Sequence, residues 1–94
     1  MKISDLTSST RKVSIVATVS QMEEPREINT KFGRTKISNA TIEDETGSFT
    51  LVLWGEETDK VKEGDQIQIE NGYIKEFNGV LQLSVGKFGK LTVL

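Results

Sequence analysis

The sequence predicts an all-β domain, a five-stranded Greek-key barrel with one short helix between the third and fourth strands. Apolar residues recur at every second position through most of the chain, which is the period of strands with one buried face. Gly- and Asn-containing turn signals separate these stretches at short intervals. A single segment, 55–61, has the charge order of a helix, with Glu56 and Glu57 leading and Lys60 and Lys62 following, as the helix dipole favours. Ninety-four residues suffice for one core and not for two, so 1–94 is expected to be one domain.

The first strand is read from Lys12 to Met22, with Val13, Ile15, Ala17 and Val19 on one parity and Ser14, Thr18 and Ser20 on the other. The polar stretch from Glu23 to Arg34, which holds the only Pro, is expected to be a long exposed loop or ribbon. Thr35 to Ile42 forms the second strand. Asp44-Glu45-Thr46-Gly47 turns it into a third, in which Phe49, Leu51 and Leu53 alternate with Thr50, Val52 and Trp54.

After the short helix, Gln66 to Phe77 is the fourth strand, and Asn78-Gly79 is the hairpin signal that joins it to the fifth. Asn71-Gly72 is the same dipeptide. Turns at both places would leave only five residues between them, so Asn71-Gly72 is read as a bulge. The fifth strand carries Leu81, Leu83 and Val85, passes an interruption at Gly86-Lys87-Phe88-Gly89 and ends with Leu91 to Leu94. Five strands with a helix in this place match the OB-fold, with an SH3-like barrel as the nearest alternative.

With no Cys and no His, the chain lacks thiolate chemistry, disulfides and the commonest general base and metal ligand. Glu43-Asp44-Glu45 resembles a hairpin tip more than a metal site, and no phosphate-binding glycine loop occurs. Neither catalysis, a metal nor a cofactor is expected. No run reaches the roughly 18 apolar residues of a membrane helix, and the start shows no signal-peptide pattern, which leads to the expectation of a cytoplasmic, nucleoid-associated location. The net charge is −2, but eight carboxylates against two Lys between Glu43 and Asp65 give that segment −6 and leave +4 for the rest.

A large ring on the solvent side of a strand needs a reason. If Phe49, Leu51 and Leu53 fill the barrel, Trp54 faces outward. Tyr73 and Phe77 flank Lys75 by two residues on each side, with their parity open after the bulge, and Phe32 lies in the basic loop. Arg26, Lys31, Arg34, Lys36, Lys75 and Lys87 lie around that loop and the last hairpin, where an OB-fold holds its ligand. Rings that stack on bases at roughly 1–3 kcal/mol each, beside cations that follow phosphates, are the parts of a single-strand binder.

These residues stand in a longer resemblance covering nearly the whole chain. Ile3-Ser4-Asp5-Leu6-Thr7, Thr30-Lys31-Phe32-Gly33-Arg34-Thr35, Asp44-Glu45-Thr46-Gly47-Ser48, Leu51-Val52-Leu53-Trp54-Gly55, Val61-Lys62-Glu63-Gly64-Asp65, Ile69-Glu70-Asn71-Gly72-Tyr73 and Phe77-Asn78-Gly79 followed by Leu81-Gln82-Leu83 carry it. The chain resembles archaeal single-stranded-DNA-binding proteins of the simple single-OB type, kin to the OB-fold proteins of the eukaryotic SOSS complex and to replication protein A domains. The resemblance implies that Trp54, Tyr73 and Phe77 stack on successive bases, with Tyr73 where relatives often carry Trp, and that Tyr73 and Phe77 face the ligand.

It further implies a monomer acting in replication, recombination and repair, with RNA at most a weaker ligand. Family members often continue into a partner-recruiting tail, and a form without one is expected to keep DNA binding and lose that recruitment. Two rivals are an OB domain used for protein interaction, suggested by the acidic 43–65 segment, and an accessory domain that binds structured RNA.

Overall fold

The computed structural model describes residues 1–10, 12–31 and 33–94, with the backbone alone at 86–88. Six strands appear: β1 (Val13–Met22), β2 (Arg26–Thr30), β3 (Gly33–Asp44), β4 (Gly47–Trp54), β5 (Gln66–Phe77) and β6 (Val80–Val93). A short helix, α1 (Glu57–Lys60), lies between β4 and β5, and a single 3-10 turn (Ile3–Asp5) precedes β1. The strands pair in the order β1-β5-β6-β4-β3-β2, and β1 also pairs with β3. Five strands therefore close into a ring. The expected five-stranded barrel is this ring, and the sixth strand comes from the stretch read as a loop or ribbon, because β2 pairs with β3 from Arg26↔Ile37 to Thr30↔Gly33 and projects beyond the ring as a hairpin.

Closure relies on one parallel pairing, β4 with β6, through Thr50↔Gln82, Leu51↔Leu83 and Val52↔Ser84. The other pairings are antiparallel. The interior holds the predicted parity of β1, namely Val13, Ile15, Ala17 and Val19, with Ile42, Leu51, Leu53, Ile67, Ile69 and Leu83. Phe49, expected in the core, is half-buried and packs against it, since it sits near the hairpin end of β4. Each fully buried Val, Leu or Ile contributes about 1.5–3 kcal/mol through its removal from water.

The 3-10 turn adds Ile3 and Leu6 to that core. Asp44, at the end of β3, ties it down: its Oδ2 accepts the Ile3 N–H at 2.9 Å, and its Oδ1 accepts from the Thr46 N–H at 2.7 Å and the Thr46 hydroxyl at 2.5 Å. Lys2 pairs with Glu45 alongside. The Thr46 hydroxyl and then the Ile3 N–H favour the ionised carboxylate and lower the Asp44 pKa from 3.8 to about 2. A depressed folded pKa gives stability that is complete above the unfolded value and lost as pH falls through the folded one. Thermal melts from pH 6 to pH 2 are expected to show the advantage of the native chain over Asp44→Asn shrinking below about pH 4. An advantage that stays constant across that window would mean the carboxylate contributes nothing as a charge.

β5 and β6 carry the irregularity that positions the exposed rings of β5. Their register runs Ile67↔Val93 to Glu70↔Lys90, then shifts and resumes at Gly72↔Val85. Asn71 takes a left-handed φ of 55° at the shift. Before it Ile67 and Ile69 point inward; after it Gly72 is buried and Tyr73, Lys75 and Phe77 are exposed. Against β1, where the pairs Ile15↔Ile69 and Val13↔Gly72 leave β5 one residue longer, that extra residue exchanges the two faces of the strand. β6 runs unbroken in backbone from Val80 to Val93, so the expected interruption at 86–89 is a register shift and not a strand end.

Candidate nucleic-acid interface

Strand pairing arranges the outward residues in rows that can be followed across the sheet. One row runs Arg26 (β2), Ile37 (β3), Trp54 (β4). The next runs Asn39 (β3), Val52 (β4), Ser84 (β6), Tyr73 (β5), and a third Thr41, Thr50, Gln82, Lys75. Phe77 closes the series opposite Val80. Rows two residues apart and strands about 4.8 Å apart place Trp54, Tyr73 and Phe77 on one face, with roughly 13 Å separating the two rings of β5.

The rings are 40%, 43% and 59% exposed, respectively, on a face where the floor residues Val52 and Ser84 are buried. They surround a groove of 240 Å³ that Arg26 and Lys75 also line. No carboxylate lines it among the described residues. Three flat apolar surfaces and two cations, with no carboxylate among the described lining residues, are the chemistry that suits a ligand both aromatic and anionic.

A family model described as "Single-stranded DNA binding protein Ssb-like, OB fold" matches residues 3–93. The chain belongs to this Ssb-like OB-fold family. The single-stranded DNA binding protein Ssb of Saccharolobus solfataricus is 37% identical over 90 residues, which are 96% of this chain and 61% of Ssb. Replication factor A of Methanothermobacter thermautotrophicus is 30% identical over 91 residues, 93% of this chain and 12% of the relative. The second OB-fold domain of replication protein A from Methanococcus maripaludis superposes with a TM-score of 0.80 at 29% identity, covering 100% of this chain and 93% of that domain. The chain thus spans less than two thirds of the length of these two relatives. This family is one of DNA-binding OB-fold proteins and not of enzymes.

In this Ssb-like domain the backbone of Trp54 is clamped from the C-terminal side. Its N–H donates to Oε1 of Glu57 at 3.0 Å. Gly55 follows in the left-handed region at φ 57°, where a side chain would be strained. The Gly55 N–H donates to the Lys36 carbonyl at 2.9 Å, and the Thr58 hydroxyl donates to the Gly55 carbonyl at 2.7 Å. The strand therefore ends at Trp54 and the short helix starts as one unit. Burial raises the Glu57 pKa, against the opposing effect of the Trp54 N–H.

Because a raised folded pKa in an acid favours the neutral form, the charge of Glu57 lowers stability as pH rises above its unfolded value of 4.5. Glu57→Gln, which keeps an acceptor and removes the charge, is expected to hold or raise the thermal midpoint. Glu57→Ala, which removes the acceptor, is expected to cost about 1 kcal/mol. Thermal denaturation of the two variants at pH 7 checks both, and equal midpoints would show that the hydrogen bond to Trp54 contributes nothing.

The structure brings five of the ten sequence-derived candidates together: Trp54, Tyr73, Phe77, Lys75 and Arg26. Arg34 and Lys36 alternate with Thr35 and Ile37 and so project from the opposite side of β3. Arg34 pairs with Glu27 at 3.3 Å, and Lys36 approaches Asp59 at 3.8 Å. Lys31 is exposed at the tip of the β2–β3 ribbon. Phe32 and the side chain of Lys87 lie outside the described residues. The groove floor of Ile37, Asn39, Val52, Gln82 and Ser84 went unrecognised in the sequence. Parity with Trp54 marks Val52, but only the pairing of β3 and β6 with β4 adds the others. Among the described residues no helix is long and apolar enough to cross a membrane, and no group of three or more carboxylates is placed to hold a metal.

Proposed function

We propose that this domain binds single-stranded DNA with little sequence specificity, by stacking bases on Trp54, Tyr73 and Phe77 while Lys75 and Arg26 meet the phosphates. The carrying observation is the convergence of three exposed rings and two cations on one carboxylate-free groove. Every base has a π-face, so stacking at roughly 1–3 kcal/mol per base tolerates any sequence. Arg34, Lys36 and Lys31 would serve a strand that continues onto the ribbon by exchanging their present contacts for phosphates. The names of the relatives in Saccharolobus and Methanothermobacter support the same reading. The domain acts as a non-catalytic monomer that protects and presents strands during replication, recombination and repair in the nucleoid, where further proteins of those processes join it; RNA binds more weakly.

Trp54 is the only tryptophan, so its fluorescence reports on the groove directly. A thymidine oligomer is expected to quench it strongly, a single-stranded RNA less and a matched duplex hardly at all. The affinity should fall with salt at a log-log slope of about −0.7 per neutralised phosphate. Absence of quenching by every nucleic acid, with the chain folded, would move the protein-interaction reading to first place.

A further inference from the structure

Next to the aromatic groove lies a larger depression of 590 Å³ with a different chemistry. Asn39 and Gln82 line both. The row that starts at Lys75 and passes Gln82, Thr50 and Thr41 continues onto β1 at Gln21, so the two share one face of the sheet. Among its described lining residues there is neither an aromatic ring nor a cation. Hydroxyls and amides form its floor, and the carboxylates of Glu23 and Glu63 stand at its walls.

A phosphate would meet two like charges here, and a base would find no ring to stack on. What the slot offers instead is hydrogen bonding to a base edge, with acceptors predominating. Glu63 is already oriented, since its Oε1 accepts the Met22 N–H at 3.1 Å. A carboxylate carries a second oxygen that a ligand can use.

We propose that this slot is a base-edge subsite that favours bases bearing an exocyclic amino group, cytosine first, over thymine. The N4 amino group of cytosine donates to a carboxylate, whereas thymine places its O4 acceptor at the same position, lone pair against lone pair. The inference rests on the stacking reading above, which brings the strand to the neighbouring groove. It adds a modest bias to a binder that otherwise tolerates sequence.

The test is a fluorescence titration with deoxycytidine and deoxythymidine oligomers of equal length at neutral pH. The native chain is expected to bind the cytidine oligomer about fivefold more tightly, at the low end of what one good base contact supplies. In Glu63→Gln the ratio should fall toward one, because an amide can donate to O4 of thymine. Glu23→Gln, at an exposed position, provides a second variant should the first fail to fold. The ratio of the two oligomers is the readout because removal of a negative charge raises affinity for both. Equal affinity in the native chain, or a ratio unchanged in the folded variants, overturns the slot while leaving stacking intact. If neither oligomer binds, stacking and slot both fall.

Discussion

Trp54→Ala is expected to weaken binding of a thymidine oligomer by about 1–3 kcal/mol, or roughly 5- to 150-fold, the contribution of one stacked base. The ring forms a wall of the groove and no part of the buried core, so its removal empties a surface. The clamp on its backbone, from Glu57 and the Gly55 turn, does not depend on the side chain. Affinity should therefore fall with little change in the melting temperature. Polarisation of a labelled oligomer measures the first and calorimetry the second. Undiminished affinity in a folded Trp54→Ala protein would eliminate Trp54 as a platform.

Deletion of Asn71 is expected to remove the bulge and leave the faces of β5 as they are. Without the extra residue, regular alternation from Ile67 and Ile69 continues inward at Gly72 and Ile74, and Tyr73, Lys75 and Phe77 stay outward. A cooperative thermal transition and retained binding of the oligomer are the expected results, read by circular dichroism and polarisation. Loss of the transition would show that the fold needs the bulge itself and not only the parity it restores.

The same bulge shows what could be read from the chain and what could not. Its position was legible because two Asn-Gly dipeptides could not both be hairpin turns, and only the latter, with φ of 51° at Asn78 and 79° at Gly79, is one. The core parity of β1 and of Leu51 and Leu53 was equally plain, because burial on one face imposes a period of two. The strand β2 was not. Arg26 to Thr30 lacks an apolar alternation because the ribbon has no core beneath it, and its pairing comes from backbone hydrogen bonds that leave little trace in composition. Proximity in sequence groups Arg34 and Lys36 with the other cations, yet strand alternation turns them away from Ile37 and the groove. The floor residues Asn39, Gln82 and Ser84 depend on which strands are neighbours, a long-range fact absent from any local pattern.

The β2–β3 ribbon leaves the closed ring and is held by a single ladder, since β2 pairs with β3 alone. Its amides are therefore the ones that local opening can release, whereas those of the ring wait on opening of the whole domain, and hydrogen exchange would separate the two classes by orders of magnitude in rate. Arg26 is carried on this least protected segment, opposite Ile37 and next in row to Trp54. A ligand held between Arg26 and the rings would tie the ribbon to the ring and slow exchange at residues that touch nothing else. Protection of β2 would then measure occupancy of the groove, with the ribbon acting as a latch that the domain by itself leaves undone.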